Sequence, residues 1–209
     1  MAKTYGQYCG LARTLDHIGD RWTLLVIREL MVSVASYGEL LVALDGVPTN
    51  LLADRLRQLE ADTLIRRETD PDDRRRVTYS LTPLGAELEP AVLALIRWGT
   101  AWMRSGPGPD RFDPRWAVLA LRALIRDRVA SRDGVLEVRV EHIRLHIIST
   151  SGAPLVVGKA TAIRSDARVG GSPELLLGVS SGQLTMTEAM RRGLRVLGRR
   201  PLARAVLQP

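Results

Sequence analysis

The chain has 209 residues, 45% of them hydrophobic and 25% charged, with one cysteine and a formal net charge of +7. A single cysteine excludes an intrachain disulfide framework. No apolar run approaches the roughly 20 residues that a membrane-spanning helix needs, and the first residues contain no apolar signal core. We therefore expect a globular protein of a reducing, cytoplasmic compartment with no membrane span.

The positive charge is unevenly distributed. Residues 1–105 contain 13 Lys and Arg against 14 Asp and Glu, a net −1, whereas residues 106–209 contain 17 against 9, a net +8. A stretch rich in Pro and Gly, from Ser105 to Asp110, is typical of an exposed connector. The sequence thus predicts two domains, 1–105 and 106–209. Any phosphate binding by the first domain would depend on local clusters of cations rather than on net charge.

Apolar residues at helical spacing predict two helices at the start of the chain. The first stripe is Tyr8, Leu11, Ala12, Leu15 and Ile18, and the second is Trp22, Leu25, Val26 and Leu30. We expect Asp20 to cap the second helix and the apolar residues to lie in the core.

A pair of short helices separated by a tight turn follows. The apolar stripe of the third helix is Tyr37, Leu40, Leu41 and Leu44. Ser36 and Glu39 form a capping box at its start, Gly46 favours its end, and Pro48 suits the first turn of the fourth helix. This arrangement predicts a helix-turn-helix.

The fourth helix has an apolar and a polar face. Leu52, Leu56 and Leu59 share one face, and Asn50, Asp54 and Arg57 fall on the other. A guanidinium can pair with guanine and a carboxamide with adenine. An ordinary solvated helix surface is the alternative interpretation.

Two strands, 64–68 and 77–81, flank a turn at 70–73 and predict a β-hairpin after these helices. The hairpin carries three consecutive cations, Arg74, Arg75 and Arg76, which we expect to contact phosphate or the minor groove. Salt bridges with the aspartates of the turn are the alternative. The order of elements between Tyr37 and Leu88 predicts a winged helix-turn-helix.

Thr82 and Pro83 begin a final helix of this domain, with an apolar stripe that reaches Trp102 and a kink at Pro90. A long helix with such a stripe favours a homodimer, which would read an inverted repeat with half-sites about one turn apart. The predicted interface is Leu11, Leu15, Leu88, Val92, Leu95 and Trp102.

Residues 9–98 resemble the HxlR family of bacterial winged-helix regulators, which are related to the MarR type. The resemblance is carried by Cys9-x6-Asp16-x2-Gly19-Asp20-Arg21-Trp22-Thr23-Leu24-Leu25, Tyr37-Gly38-Glu39-Leu40-Leu41, Leu52-x3-Leu56-Arg57-Gln58-Leu59-Glu60 and Val77-x-Tyr79-x-Leu81-Thr82-Pro83-x-Gly85. It implies a dimeric transcription factor whose base-facing positions are Thr49, Asn50, Ala53, Asp54 and Arg57.

Three positions depart from the family pattern. Pro48 replaces a capping serine, Thr63 replaces a glycine before the wing, and Asp54 would meet phosphates unfavourably unless it pairs with a cytosine amine or with Arg57. Cys9 occupies a position where some members carry a thiol that senses oxidants or electrophiles. A small buried hydrophobic residue is the alternative for Cys9.

The second domain is predicted to be α+β with an antiparallel sheet. A helix at 115–125 precedes two strands that meet at a turn near Glu141 and His142, one or two strands follow between 155 and 168, and two helices then close the chain. This order and the segments 172–177 and 181–189 resemble the sterol-carrier-protein fold. The resemblance implies an apolar tunnel for an acyl chain or similar ligand, and a filled core with an architectural role is the alternative.

No pattern for catalysis, a metal or a cofactor appears. His142 and His146 lack a third ligand and are expected to be exposed strand residues, and the serines at 180 and 181 lack a histidine and carboxylate partner. We therefore expect a non-enzymatic, dimeric DNA-binding repressor with a C-terminal domain for a hydrophobic effector. A lipid or acyl-chain carrier that uses the winged helix to bind proteins is the second hypothesis.

Overall fold

The computed structural model describes residues 4–69, 77–103, 110–125 and 128–209. Contacts within the chain define two compact units, Met1–Val92 and Leu93–Pro209. The division falls inside a helix, earlier than the connector at 105–110, most of which lies outside the described residues. A boundary between residues 105 and 106 therefore stays a prediction. Among the described helices, none is both long and apolar enough to cross a bilayer.

The first unit consists of helices and a small sheet. Its elements are α1 (Gly10–Ile18), α2 (Thr23–Val32), β1 (Ala35–Ser36), α3 (Tyr37–Ala43), α4 (Thr49–Ala61), β2 (Ile65–Thr69), β3 (Val77–Leu81) and α5 (Pro83–Ala86), and α6 (Glu89–Gly99) leads into the second unit. The strands pair antiparallel in the order β1-β3-β2. These bounds confirm the first four predicted helices and the two hairpin strands to within a few residues.

The core of the first unit lies between α2, α3, α4 and β2. Its largest fully buried side chains are Ile27, Leu40, Leu52, Leu56, Leu59 and Ile65. Each such side chain contributes about 1.5–3 kcal/mol by leaving water. The three leucines of α4 supply half of this set, so the same helix that presents the polar face is also fixed in the core.

Helix α1 differs from the expectation that its apolar stripe is buried. Ala12 and Ile18 are buried, but Tyr8 is fully exposed, Leu11 is 69% exposed and Leu15 is 39% exposed. The prediction of a core role is therefore wrong for these three residues. The physical reason is that no described residue of the chain covers this side of α1.

The helix predicted from Thr82 to Trp102 is broken rather than continuous. Helix α5 ends at Ala86, a turn occupies residues 87 and 88, and α6 starts at Glu89. Pro90 stands in the first turn of α6, where its missing N–H costs nothing, and cannot continue the preceding helix. The expected kink is thus a complete interruption, and a short 3-10 turn (Thr100–Trp102) follows α6.

The second unit contains a five-stranded sheet. Its elements are a 3-10 turn (Pro114–Trp116), α7 (Ala117–Ile125), β4 (Gly134–Val140), β5 (Ile143–Ser149), β6 (Val156–Lys159), β7 (Ala167–Gly170), α8 (Pro173–Ser180), α9 (Met186–Arg191), β8 (Arg195–Gly198) and α10 (Arg200–Leu207). The strand order is β6-β5-β4-β7-β8. Helices α7 and α10 contact the sheet, and α8 contacts both of them.

The sheet is mixed, which corrects the prediction of an antiparallel sheet. Strand β7 pairs with β4 in parallel, whereas all other pairs are antiparallel. The parallel pair arises because the chain crosses from edge strand β6 to the far side of β4 without a hairpin. The alternation of apolar and polar residues in the sequence predicts hairpin strands, but it does not show that the chain crosses over to form a parallel pair.

Two elements of the second unit were not predicted. After α9 the chain adds the edge strand β8 and the amphipathic helix α10, so the expectation that two helices close the chain is wrong. The guanidinium of Arg128 holds α10 in place by donating to the carbonyl oxygens of Val206 (3.3 Å) and Leu207 (2.8 Å). It also donates to the carbonyl of Ser180 at the end of α8. One arginine thus caps two helix C-termini.

Candidate nucleic-acid interface

Helix α3 is fixed at its start by the predicted capping box. The Ser36 hydroxyl accepts from the Glu39 amide at 3.3 Å, and the Glu39 carboxylate accepts from the Ser36 amide at 2.7 Å. Two amides that would otherwise lack partners are satisfied in this way. The result is a defined direction for α3 and for the turn that follows it.

The turn between α3 and α4 is short and closed by backbone geometry. Gly46 has φ +82°, a conformation in which a side chain would be strained, and the Val47 amide donates to the Leu44 carbonyl at 3.0 Å. Pro48 is extended and precedes the first helical residue of α4. The Tyr37 hydroxyl donates to the Thr49 carbonyl at 2.8 Å and so joins the beginnings of the two helices directly.

Helix α4 presents one exposed polar face. Leu52, Leu56 and Leu59 are buried, and the residues expected to face bases lie on the other side. Of these, Thr49, Asn50, Asp54 and Arg57 are exposed and Ala53 is half-buried. The structure therefore brings the five positions together on one accessible surface of a helix. A helix that contacts bases in the major groove needs such a surface.

The Arg57 guanidinium forms an ion pair with the Asp54 carboxylate one turn earlier on α4. Both side chains are largely exposed, at 74% and 55%, so solvent weakens the pair and little stability depends on it. The Asp54 carboxylate nevertheless offsets the positive charge of Arg57 on this exposed face of α4. This is the pairing that the sequence left open for Asp54.

Two polar contacts hold α4 and its C-cap residue Asp62 against the rest of the unit, and a third lies within the end of the helix. Arg55 pairs with Asp20 at 3.0 Å, and the Asp62 carboxylate accepts from Gln58 at 3.0 Å and contacts the His17 ring at 2.9 Å. Sequence analysis missed Arg55 and Asp62, because their partners Asp20 and His17 lie in the turn before α2 and on α1, far from them in the chain. Asp20 accepts from the amides of Trp22 and Thr23, but the N-cap position of α2 is Trp22, so Asp20 binds these amides from the turn before the helix rather than as its predicted N-cap.

The hairpin expected to form the wing is present as β2 and β3, joined in register from Ile65 opposite Leu81 to Thr69 opposite Val77. The predicted contacts Arg74, Arg75 and Arg76 lie outside the described residues. Two further arginines are on β2: Arg66 contacts Glu68 at 3.1 Å and Ser80 at 2.9 Å, and Arg67 is exposed. Arg67 is a cation of the hairpin that the sequence analysis did not single out.

The hairpin is anchored by a close approach of backbones. A Cβ on Gly85 would stand 2.0 Å from the Leu64 carbonyl oxygen, so glycine is required there. The Thr82 hydroxyl donates to the Thr63 carbonyl at 2.6 Å and accepts from the Gly85 amide at 3.1 Å. Thr63 itself has φ +58°, the conformation for which a glycine would be preferred.

Cys9 is exposed and directly precedes the first turn of α1. The nearby backbone amides of Ala12 and Leu11 lower the pKa of the thiol below its ordinary value. The alternative of a buried hydrophobic residue is therefore wrong.

The residues predicted for a dimer interface have unequal exposure. Leu11, Leu15, Leu95 and Trp102 are exposed, Leu88 is half-buried and Val92 is only 5% exposed. Val92 therefore contributes to the core of the chain itself.

The described residues contain no group of three His, Cys, Asp or Glu that could hold a metal ion. His142 is exposed as expected, but His146 is only 4% exposed, which corrects the prediction of two exposed strand histidines. Its Nδ1 accepts from the Thr161 amide at 3.3 Å and its Nε2 lies 3.7 Å from the Glu137 carboxylate. Thr161, in the segment between β6 and β7, covers His146 locally, whereas Arg144 and Ile148 on the same face of β5 remain exposed, and strand alternation alone does not predict this.

A helix pair with an exposed polar second helix, followed by an antiparallel hairpin, defines the first unit as a winged helix-turn-helix. Residues 17–107 match the model of the HxlR-like helix-turn-helix family. An HTH-type transcriptional regulator of Synechocystis sp., sll1512, is 39% identical over 114 residues, which cover 50% of this chain and 84% of that protein. The chain belongs to the HxlR-like helix-turn-helix family of transcriptional regulators, which confirms the prediction of a regulator rather than an enzyme.

Other relatives cover a similar part of the chain. The HTH-type transcriptional regulator Rv3095 of Mycobacterium tuberculosis is 36% identical over 99 residues, 47% of this chain and 62% of that protein. A solved structure described as a MarR-family transcriptional regulator of Enterococcus faecalis V583 is 36% identical, covers 46% of this chain and 86% of its own, and has a TM-score of 0.40. The family match ends at residue 107, so residues 108–209 lie outside it.

Proposed function

We propose that the protein is a sequence-specific DNA-binding repressor that acts as a homodimer on an inverted repeat. The observation that carries this proposal is the exposed face of α4, which is backed by three buried leucines and tied to α3 by the bond from Tyr37 to Thr49. A rigid helix with an accessible polar face is the geometry that reads base edges in the major groove.

Two side chains on this face have the chemistry for base readout. Asn50 can pair in bidentate fashion with adenine, and Arg57 with guanine. Arg67 and the predicted wing residues Arg74, Arg75 and Arg76 would contact the backbone and supply affinity without base preference. Backbone contacts from a local group of arginines do not require the domain to have a net positive charge.

The dimer is proposed from the exposed apolar face of α1. Leu11 and Leu15 lie on it, and the exposed Tyr8 precedes the helix; packing against a second copy of the chain would remove this apolar surface from water. A two-fold axis near α1 would place two copies of α4 about one helical turn of DNA apart.

The test is binding to duplexes from the region upstream of the protein's own gene, followed by fluorescence anisotropy at several salt concentrations. Arg57→Ala should weaken binding to the best duplex by about tenfold and should relax the preference at one base pair per half-site. Replacing Arg74, Arg75 and Arg76 by alanine should weaken binding to every duplex and flatten its salt dependence. Equal affinity for all duplexes would overturn sequence-specific regulation.

For the second unit we propose a binding site for a hydrophobic small molecule on a sterol-carrier-like fold. The proposal is supported by a helix, an antiparallel meander, a crossover strand and two helices in the order on which the resemblance rests, to which the chain adds β8 and α10. If the chain were instead a lipid carrier with a protein-binding winged helix, the anisotropy test would find no duplex bound. A stoichiometric lipid in the mass spectrum of the purified protein would then support the carrier.

A further inference from the structure

The second unit has a groove of about 830 Å³ between α9, β8 and α10, within the volume range of small-molecule sites. Its floor is apolar, since Met186 and Val196 are 3% and 7% exposed and the half-buried Met190 lies beside them. Apolar surface of this kind binds the hydrocarbon part of a ligand by excluding water.

Four guanidinium groups line the same groove, those of Arg132, Arg191, Arg200 and Arg204, and all four residues are exposed. Glu188 lies one turn before Arg191, and the two side chains attract each other electrostatically. The other three arginines have no hydrogen bond or ion pair from their side chains to any part of the chain that the structure describes. Neither an Asp nor a Glu is among the groove's described lining residues.

Like charges gathered around one concavity repel each other, and a low-dielectric floor strengthens the field that they create. An anion placed among them relieves this repulsion, and arginine in particular forms paired hydrogen bonds with carboxylate or phosphate. A ligand that matches both the arginines and the apolar floor of the groove has a negatively charged headgroup on an apolar chain.

We propose that this groove binds an anionic amphiphile of small-molecule size, such as a fatty acid or an acyl phosphate ester, with its headgroup held by the arginines and its chain on Met186, Met190 and Val196. The proposal rests on the effector role proposed above for the second unit and names the chemistry and the place of that effector.

The test is isothermal titration of the full chain with laurate, compared with dodecanol, which lacks the charge, and with acetate, which lacks the chain. The variant Arg200→Ala/Arg204→Ala is compared with Arg144→Ala/Arg195→Ala, which removes the same charge from exposed positions on strands β5 and β8 outside the groove. Met190→Gln tests the floor. We expect laurate to bind, dodecanol and acetate to bind at least about tenfold more weakly, and laurate affinity to fall about tenfold in the groove variant but not in the control.

Absence of laurate binding, equal affinity of the two double variants, or equal binding of dodecanol would overturn the proposal. Laurate binding that leaves DNA affinity unchanged would keep the groove and refute the effector role. DNA binding without laurate binding would keep the regulator and refute the groove. Circular dichroism of each variant shows whether it is folded.

Discussion

The Tyr37 hydroxyl lies 2.8 Å from the Thr49 carbonyl oxygen and donates to it across the helix-turn-helix. This hydrogen bond joins the first residue of α3 to the first residue of α4, so the angle between the two helices does not depend on apolar packing alone. The bond uses a carbonyl at the helix start, next to the exposed face of α4.

We expect Tyr37→Phe to lower the free energy of unfolding by about 1 kcal/mol, because one hydrogen bond is lost without a change of shape. DNA affinity should fall about two- to fivefold for all sequences, since α4 is less well positioned. Urea unfolding and anisotropy measure the two effects. Tyr5→Phe is the matched control, because Tyr5 is 59% exposed and its hydroxyl has no hydrogen-bond partner among the described residues. Equal effects of the two substitutions would contradict the positioning role.

Thr63 has φ +58°, and a β-branched side chain is strained there. We expect Thr63→Gly to raise the free energy of unfolding by about 1 kcal/mol, as measured by the urea midpoint. Thr69→Gly, a substitution within strand β2, should lower it by a similar amount. A loss of stability in both variants would show that the backbone at Thr63 is not strained.

The ion pair between Asp54 and Arg57 predicts that removing the Asp54 charge strengthens DNA binding. We expect Asp54→Asn to strengthen DNA binding severalfold at low salt, because it frees Arg57 and removes a negative charge from the DNA-facing surface. Glu60→Gln, an equally charged change at the far end of α4, should have less effect. If Asp54→Asn instead weakens binding at one base pair only, Asp54 accepts from a cytosine amine.

The buried Glu137 carboxyl predicts sensitivity to acid. Burial favours its neutral form, but the hydrogen bond and charge of Arg139, with the charge of Arg168, outweigh burial and hold the pKa below its ordinary value of 4.5. A lowered folded-state pKa stabilises the fold above the unfolded value, and this stability is lost as the pH falls through the folded value.

We therefore expect the free energy of unfolding to decline from about pH 4.5 downward. Glu137→Gln should cost about 1–3 kcal/mol at pH 7 and should flatten this decline. The exposed Glu141→Gln is the control. An acid decline of the same steepness in both variants would assign it to other carboxyls.

Cys9 should be more reactive in the folded protein than in the unfolded chain, because the amides of Leu11 and Ala12 lower the pKa of its thiol. We expect iodoacetamide to modify the native protein faster at pH 7 than the protein in urea, as followed by mass spectrometry. A slower native reaction would argue against a sensing role. A disulfide between two copies after mild peroxide treatment would place Cys9 near the dimer axis.

The sequence predicted most of the first unit, because its elements are specified by local signals. The capping box at Ser36 and Glu39 and the Gly46 turn act over a few residues and are readable one after another. The exposed apolar face of α1 was misjudged, because amphipathic spacing shows that a helix has an apolar side but not what covers it. The contacts of Arg55 and Asp62 were missed, because they join residues far apart in the chain.

In the second unit, the order of the strands in the sheet could not be predicted from the sequence. The hairpin of β4 and β5 followed from alternation and the turn at Glu141. The crossover to β7, the burial of His146 and the pairing of β8 depend on which strands become neighbours, and residue pattern does not encode that order.

Arg128 stands before the first strand of the second unit, yet its guanidinium binds carbonyls 52, 78 and 79 residues later. During synthesis, Val206 and Leu207 leave the ribosome 78 and 79 residues after Arg128. The helices and hairpin of the first unit all precede Arg128 in the chain, so they can form while translation continues. The DNA-reading unit is thus complete before the second unit can close around its arginine.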